Sequence, residues 1–191
     1  MALAAKRTNY TVDDYFALPE NVRAELIDGV LYNMASPSSI HQELCGRAFY
    51  GIYDYIEKNK GKCRVFFAPY CVHLDKNKDN YYEPDITVVC DPEKLTDKGC
   101  EGAPDWIIEV VSPSTAGHDY VKKLNHYMDA GVREYWIVTP ENEDVIVYTQ
   151  NDGVKDFTVY SFKDRIKAGI YDDLFMDFTP FVGCGNAEYE S

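Results

Sequence analysis

Positive charge is scarce in this chain. Its 191 residues include 19 lysines and arginines against 32 acids, for a formal net charge of −13. A general nucleic-acid coating protein is therefore excluded, since that class shows a basic patch or stripe. A nucleic-acid enzyme is not, because the local field and a bound metal count for more than the total. Long apolar runs are missing too. None approaches the roughly 18 residues of a membrane span, and the opening MALAAKRTNY has no hydrophobic signal core. The six cysteines, Cys45, Cys63, Cys71, Cys90, Cys100 and Cys184, contain no Cys-x-x-Cys pair and no Cys/His cluster at zinc spacing. Reduced thiols in a cytoplasmic protein are the expectation. No internal repeat or low-complexity linker divides the chain, which is the length of one domain with a single substantial core.

A hydrophobic fraction of 46% and an aromatic fraction of 14% fit a folded globule. The sixteen tyrosines suit a core edge, a dimer interface or a substrate groove, and composition does not choose among them. Residues 1–10 read as a flexible arm, 11–182 as the domain and 183–191 as a tail. TVDDYFALP gives a short helix, with Thr11 as N-cap and Asp14 three residues on. RAELIDGVLYNM is two short apolar runs joined by Asp28-Gly29, a hairpin signal. Ser38 or Ser39 caps a long helix to about Asn59, with Ile40, Leu44, Ala48, Ile52 and Ile56 as its apolar stripe.

Beyond Asn59 the runs shorten. CRVFFAPYCVHL reads as two strands broken near Pro69, YYEPDITVVC as one strand, and DPEKLTDKGCEGAP as a loop. DWIIEVV is a buried strand. STAGHDYVKKLNHYMDAG is a helix stopped by Gly131. REYWIVTP is a further strand, and 143–162 a hairpin with Asp152-Gly153 at its tip. The order predicts an α/β domain with a central mixed sheet flanked by helices, plus added hairpins.

Two carboxylates interrupt this apolar pattern. Asp85 stands in EPDITVV and Glu109 in WIIEVV, 24 positions apart. A connection of that length lets their strands lie side by side. Two close carboxylates repel unless a cation holds them. Mg²⁺ or Mn²⁺ suits the pair, since one or two carboxylates and waters complete an octahedron. Such an ion activates water and neutralises phosphodiester charge. In SPST, Ser112 and Ser114 lack the glycines of a nucleophile elbow and a His/Asp relay.

The pattern EPD…IIEVV resembles the PD-(D/E)xK nuclease core. AELIDGVLYNMASPSSIH, EPDITVV, WIIEVVSPST and DYVKKLNHYMDAGVREYWIVTP, in that order, resemble its Uma2 branch of restriction-endonuclease-like proteins, a DUF820-type domain. The resemblance covers about residues 11–182. It implies a restriction-endonuclease-like core and a metal-dependent DNA endonuclease, with Asp85 and Glu109 as metal ligands. Nucleases of this fold often pair, so a homodimer is expected. The wider motif has lysine where this chain has Val111. The branch implies a substitute from the next helix in the pattern D-x3-K-x3-Y, matched by Asp119, Lys123 and Tyr127. On the helical wheel Val121, Leu124 and Met128 form the core stripe, and Lys123 lies off it beside Tyr120 and Tyr127, with Lys122 as the fallback. The resemblance also adds Glu25 to the catalytic set and His41 as an accessory residue.

Each of these residues has a plainer reading. Glu109 and Lys123 make a buried salt bridge in the structural alternative, Glu25 a cross-strand partner, His41 a helix-face hydrogen-bonder. His73, His118 and His126 read as structural or exposed. Pro104-Asp105 reads as a decoy of the true Pro84-Asp85. A catalytically weak module that binds a protein or nucleic acid is the alternative function. A phosphate-ester or small-nucleotide hydrolase is a third.

Overall fold

The structure, a computed structural model, describes residues 9–75, 79–111, 119–151 and 153–185. Helix α1 (Val12–Phe16) opens with the expected reciprocal cap: Thr11 Oγ1 accepts from Asp14 N at 3.3 Å, and Asp14 Oδ2 accepts from Thr11 N at 2.9 Å. Strands β1 (Ala24–Ile27) and β2 (Val30–Asn33) form the hairpin. Asp28 and Gly29 both take positive φ, 50° and 71°, the conformation a two-residue turn demands. Asn9 N and Tyr10 N both donate to the Gly29 carbonyl.

Helix α2 (Ser39–Lys58) is capped by Ser38, whose Oγ accepts from His41 N at 3.3 Å. That cap sets the first turn, and with it the position of His41. Leu44, Ala48, Ile52 and Ile56 are buried along one stripe, with Ile40 half-buried against the same core. Truncating Leu44 to Ala costs about 2–5 kcal/mol by the usual behaviour of such sites.

Strands β3 (Arg64–Phe67) and β4 (Val72–His73) flank the break at Pro69. Then come β5 (Ile86–Val89), β6 (Leu95–Thr96), β7 (Gly99–Glu101) and β8 (Trp106–Val110). Helix α3 (Asp119–Ala130) leads to β9 (Glu134–Thr139), β10 (Asp144–Asn151) and β11 (Val154–Ser161). The chain closes with β12 (Arg165–Lys167) and β13 (Phe175–Asp177).

The central sheet has the order β11-β10-β9-β8-β5-β3. Only β8 and β9 are parallel, joined through α3; the other pairs are antiparallel, so the sheet is mixed as expected. One apolar cluster joins the buried stripe of α2 to Ile86, Val88, Trp106, Ile108 and Trp136. The other joins Tyr127 and Met128 of α3 to Val89, Ile107, Tyr135 and Ile137. Alternation along each strand thus supplies two layers, one per face. Trp106 and Trp136, on neighbouring parallel strands, are fully buried with ring centroids 4.9 Å apart. Among the described residues, no helix is long and apolar enough to cross a membrane.

Several expectations are corrected. The segment after Cys90 is not a plain loop: β6 and β7 join β4 in a three-stranded sheet. Gly99, at φ 130°, lies against the Cys71 carbonyl, where an added Cβ would sit 2.1 Å from that oxygen. Strands this short carry no readable period. β12 and β13 form a further two-stranded sheet that was not foreseen. Cys63 and Cys90 form a disulfide, while Cys45, Cys71, Cys100 and Cys184 are free thiols. The two bonded residues flank the paired strands β3 and β5, a proximity that sequence spacing does not reveal. Ser112 and Ser114, set aside above as nucleophiles, and His118 lie outside the described residues.

Candidate active site

The two strand carboxylates are neighbours. β5 and β8 run antiparallel with Ile86 opposite Ile108. One residue further in that register sets Asp85 beside Glu109. Asp85 is not inside its strand, as the sequence suggested, but immediately before it. Its Oδ2 accepts from Val110 N at 2.8 Å and lies 3.2 Å from His41 Nε2. The strand end is thereby tied to the first turn of α2.

Glu109 shares a strand face with Ile107 and Val111 and so faces α3. It is buried, and its Oε1 accepts from Lys123 Nζ at 3.0 Å and from the Tyr127 hydroxyl at 3.2 Å. Lys123 and Tyr127, four apart on α3, point at one carboxylate, as helical spacing allows. Lys123 also reaches Glu25 Oε1 at 2.8 Å. That oxygen of Glu25 accepts from Glu83 N at 3.0 Å, which fastens β1 to the segment before β5. Among the described residues, the side-chain partners of Asp85 meet Oδ2 and those of Glu109 meet Oε1.

The wheel misplaced one residue. Lys123 does not lie off the buried face; it is only 6% exposed, while Lys122 is exposed. A lysine on an amphipathic helix reads as solvent-facing, and only its two acidic partners make burial tolerable. Asp119 is the first residue of α3. Val111, where the wider motif has lysine, is buried among apolar neighbours.

Two carboxylates, Glu25 and Glu109, converge on the ammonium of Lys123, while the neighbouring Asp85 faces His41. Burial opposes the charge of Lys123, but Glu109 and Glu25 outweigh it and hold its pKa above the usual lysine value. Burial pushes the Glu109 carboxyl up; Lys123 pulls it down, while Asp85 and Glu25 add to the rise. At His41 burial favours the neutral ring, yet the hydrogen bond and charge of Asp85, helped by Glu109 and the Val110 carbonyl, leave its pKa raised.

Cys45 was not singled out from the sequence. It stands one helical turn after His41, and its Sγ is 3.6 Å from His41 Nδ1. The His-x3-Cys spacing on one helix face is the signal that was available. Cys45 and Asp85 line a cleft of about 190 Å³ with Gln42, Phe49 and Phe67. A larger hollow of about 350 Å³ beside the Asp28-Gly29 turn is lined by Asp28 and Asp79 and by none of Glu25, Asp85 and Glu109.

Asp105, His73 and His126 have structural partners. Asp105 accepts from Cys90 N at 2.8 Å and pairs with Arg133 at 3.3 Å, so Pro104-Asp105 belongs to the fold. His73 meets Glu101 at 3.2 Å, and His126 meets the Tyr82 hydroxyl at 2.6 Å.

Comparison with known proteins gives a concordant picture. The sequence model of the Uma2 family, described as "Putative restriction endonuclease", matches residues 12–168. An uncharacterized Synechocystis protein, slr1290, is 26% identical over 160 residues, covering 81% of this chain and 82% of the relative. A solved structure from Anabaena variabilis, titled a "putative nuclease belonging to DUF820", superposes with a TM-score of 0.74 at 20% identity. It covers 92% of this chain and 99% of its own. At that identity the likeness establishes the shared fold.

Proposed function

Because this chain belongs to the Uma2 family, we propose that it is a Mg²⁺- or Mn²⁺-dependent endonuclease that hydrolyses phosphodiester bonds in DNA. Asp85 and Glu109 hold the ion, and Lys123 assists catalysis. The observation that carries this reading is the convergence of Asp85 and Glu109 from neighbouring strands, with Lys123 bonded to Glu109.

The donor set fits a hard divalent cation. Asp85 and Glu109 are register neighbours and Glu25 joins Glu109 at Lys123, an oxygen-donor set of the kind Mg²⁺ and Mn²⁺ take. The ion supplies charge neutralisation at the phosphodiester and a more acidic water. The chain's own residues do the positioning. The Val110 N–H and His41 fix Asp85; Lys123 and Tyr127 fix Glu109. Glu25 holds Lys123 from the other side and is the candidate for an added ligand to the ion or to water. Lys123 orients the attacking water or stabilises charge developing on the phosphorane. Val111 supplies no charge, so the superfamily's lysine role falls to the helix.

Incubating the pure protein with plasmid DNA and Mg²⁺ or Mn²⁺ tests the assignment. Cleavage that disappears in Asp85→Ala is expected; equal cleavage by the two proteins overturns it. A nucleotide panel run alongside separates DNA cleavage from hydrolysis of small phosphate esters. The second reading, a catalytically weak module that binds a protein or nucleic-acid partner, is favoured by the closed Glu25–Lys123–Glu109 arrangement, which also serves as a structural ion triad. Calorimetry with Mn²⁺ discriminates: a well-folded sample that binds no ion fits the module. A cytoplasmic homodimer completes the proposal.

A further inference from the structure

We infer that His41, Cys45 and Asp85 form a Zn²⁺ site on the wall of the cleft, sharing Asp85 with the hard-cation site and competing with it. The competition rests on the nuclease reading above; the zinc site itself does not.

Three donors of different chemistry meet here. An imidazole nitrogen, the Cys45 Sγ and a carboxylate oxygen of Asp85 all lie within 4.8 Å of one another. The two measured contacts are 3.2 Å from His41 Nε2 to Asp85 Oδ2 and 3.6 Å from His41 Nδ1 to Cys45 Sγ. Tetrahedral zinc, with bonds of about 2.0–2.3 Å, separates its ligand atoms by roughly 3.3–3.7 Å. Both contacts fall in that range but reach different ring nitrogens, so the three ligand atoms, which lie within 4.8 Å of one another, close on one ion by a local rearrangement. The imidazole now spans the other two ligands with both nitrogens, so binding requires that the ring turn aside and present one nitrogen to the ion as Cys45 and Asp85 close on it.

The scaffold is prepared for this. His41 and Cys45 are one turn apart on α2, and the Ser38 cap fixes that turn. The Val110 N–H holds Asp85 by the same oxygen that faces His41. Cys45 and Asp85 both open on the cleft, which leaves room for water as a fourth ligand. Three protein ligands plus an open position is the pattern of a reactive zinc site rather than a closed structural one.

The donor softness selects the metal. Mg²⁺ takes oxygen and avoids thiolate, whereas thiolate and imidazole together favour zinc and its congeners. Cys45 thus gives the cleft a preference that Asp85 and Glu109 alone do not have. With zinc seated on Asp85, that carboxylate is withdrawn from the hard-cation pair, and zinc acts as an inhibitor of Mg²⁺- or Mn²⁺-supported cleavage.

Cobalt reports the site without any assay of cleavage. Adding Co²⁺ to the folded, thiol-intact protein is expected to raise a thiolate-to-cobalt charge-transfer absorption that added Zn²⁺ abolishes. Cys45→Ser is expected to lose that band and to bind Zn²⁺ at least about 10–100-fold more weakly, since loss of even an outer-sphere partner commonly costs that much. Cys71→Ser, a thiol outside the trio, keeps the band. Far-UV circular dichroism confirms that each variant is folded. No band in the wild type, or an equal band and equal zinc affinity in Cys45→Ser, overturns the proposal. If the band behaves as expected but no DNA is cut with Mg²⁺ or Mn²⁺, the zinc site stands and the nuclease reading fails. Cleavage without a band leaves the nuclease reading and removes the zinc site.

Discussion

Lys123 and Glu109 meet at 3.0 Å, Nζ to Oε1, with neither side chain as much as a tenth exposed. The pair adds a charged tie to the apolar packing between α3 and β8, and Glu25 extends it to the hairpin at 2.8 Å. Removing one partner of a buried ion pair leaves an uncompensated charge in a poor solvent, which is why single deletions hurt more than the pair itself contributes.

Lys123→Met is therefore expected to lower unfolding stability by about 3–5 kcal/mol in urea titration, as well as to abolish cleavage. Lys122→Ala, on the exposed side of the same helix, is expected to change stability by less than ~0.5 kcal/mol and to leave cleavage intact. Equal effects from the two lysines would contradict the assignment of the helix lysine.

Glu134 predicts a pH effect away from the site. Its carboxylate accepts from Trp136 Nε1 at 2.7 Å, Gly169 N at 2.9 Å and Ile170 N at 2.9 Å. Burial nevertheless outweighs these donors and raises its pKa above the ordinary glutamate value. A carboxyl with a raised folded pKa binds more protons folded than unfolded across the window between the two values. Its contribution to stability is fully present below the unfolded value and declines as pH rises through the folded one. Urea midpoints measured across that window should fall with rising pH more steeply in the wild type than in Glu134→Gln. Parallel curves would remove this group from the account.

The Cys63–Cys90 link closes a span of 27 residues. Chain entropy assigns such a loop about 3–4 kcal/mol. Chemical unfolding with and without reductant should differ by that order, and Cys63→Ser should match the reduced protein. Alkylation under non-reducing, denaturing conditions should modify Cys45, Cys71, Cys100 and Cys184 only. Six labelled thiols in protein taken directly from cells would restore the expectation of a fully reduced, cytoplasmic chain.

A homodimer is expected in solution. Light scattering at assay concentration should return twice the 21.8 kDa of the chain. A single-chain mass under those conditions counts against paired strand cleavage.

Much of this arrangement was legible beforehand, for identifiable reasons. The stripe of α2 repeats at helical spacing over twenty residues, and its cap is a serine three residues before His41. The hairpin at Asp28-Gly29 is written in turn chemistry. Asp85 and Glu109 stand out because a carboxylate in an apolar run needs a reason. What stayed hidden depends on tertiary contacts. The burial of Lys123 depends on Glu109 of the central sheet and on Glu25 from a distant hairpin. The disulfide needs the pairing of β3 with β5. β6, β7, β12 and β13 are two or three residues long and owe their form to their partners. Cys45 stands at no zinc-finger spacing, and a ligand set drawn from a helix and a strand end has no linear signature.

The chain has two tryptophans, and both lie inside the central sheet, fully buried and in ring contact. Its intrinsic fluorescence is therefore a gauge of the core and is screened from direct contact with anything in the cleft. An emission change on adding DNA or metal would signal that β8 and β9 have shifted relative to each other. A silent spectrum beside a positive calorimetric signal would show that ligands are taken up by a rigid frame.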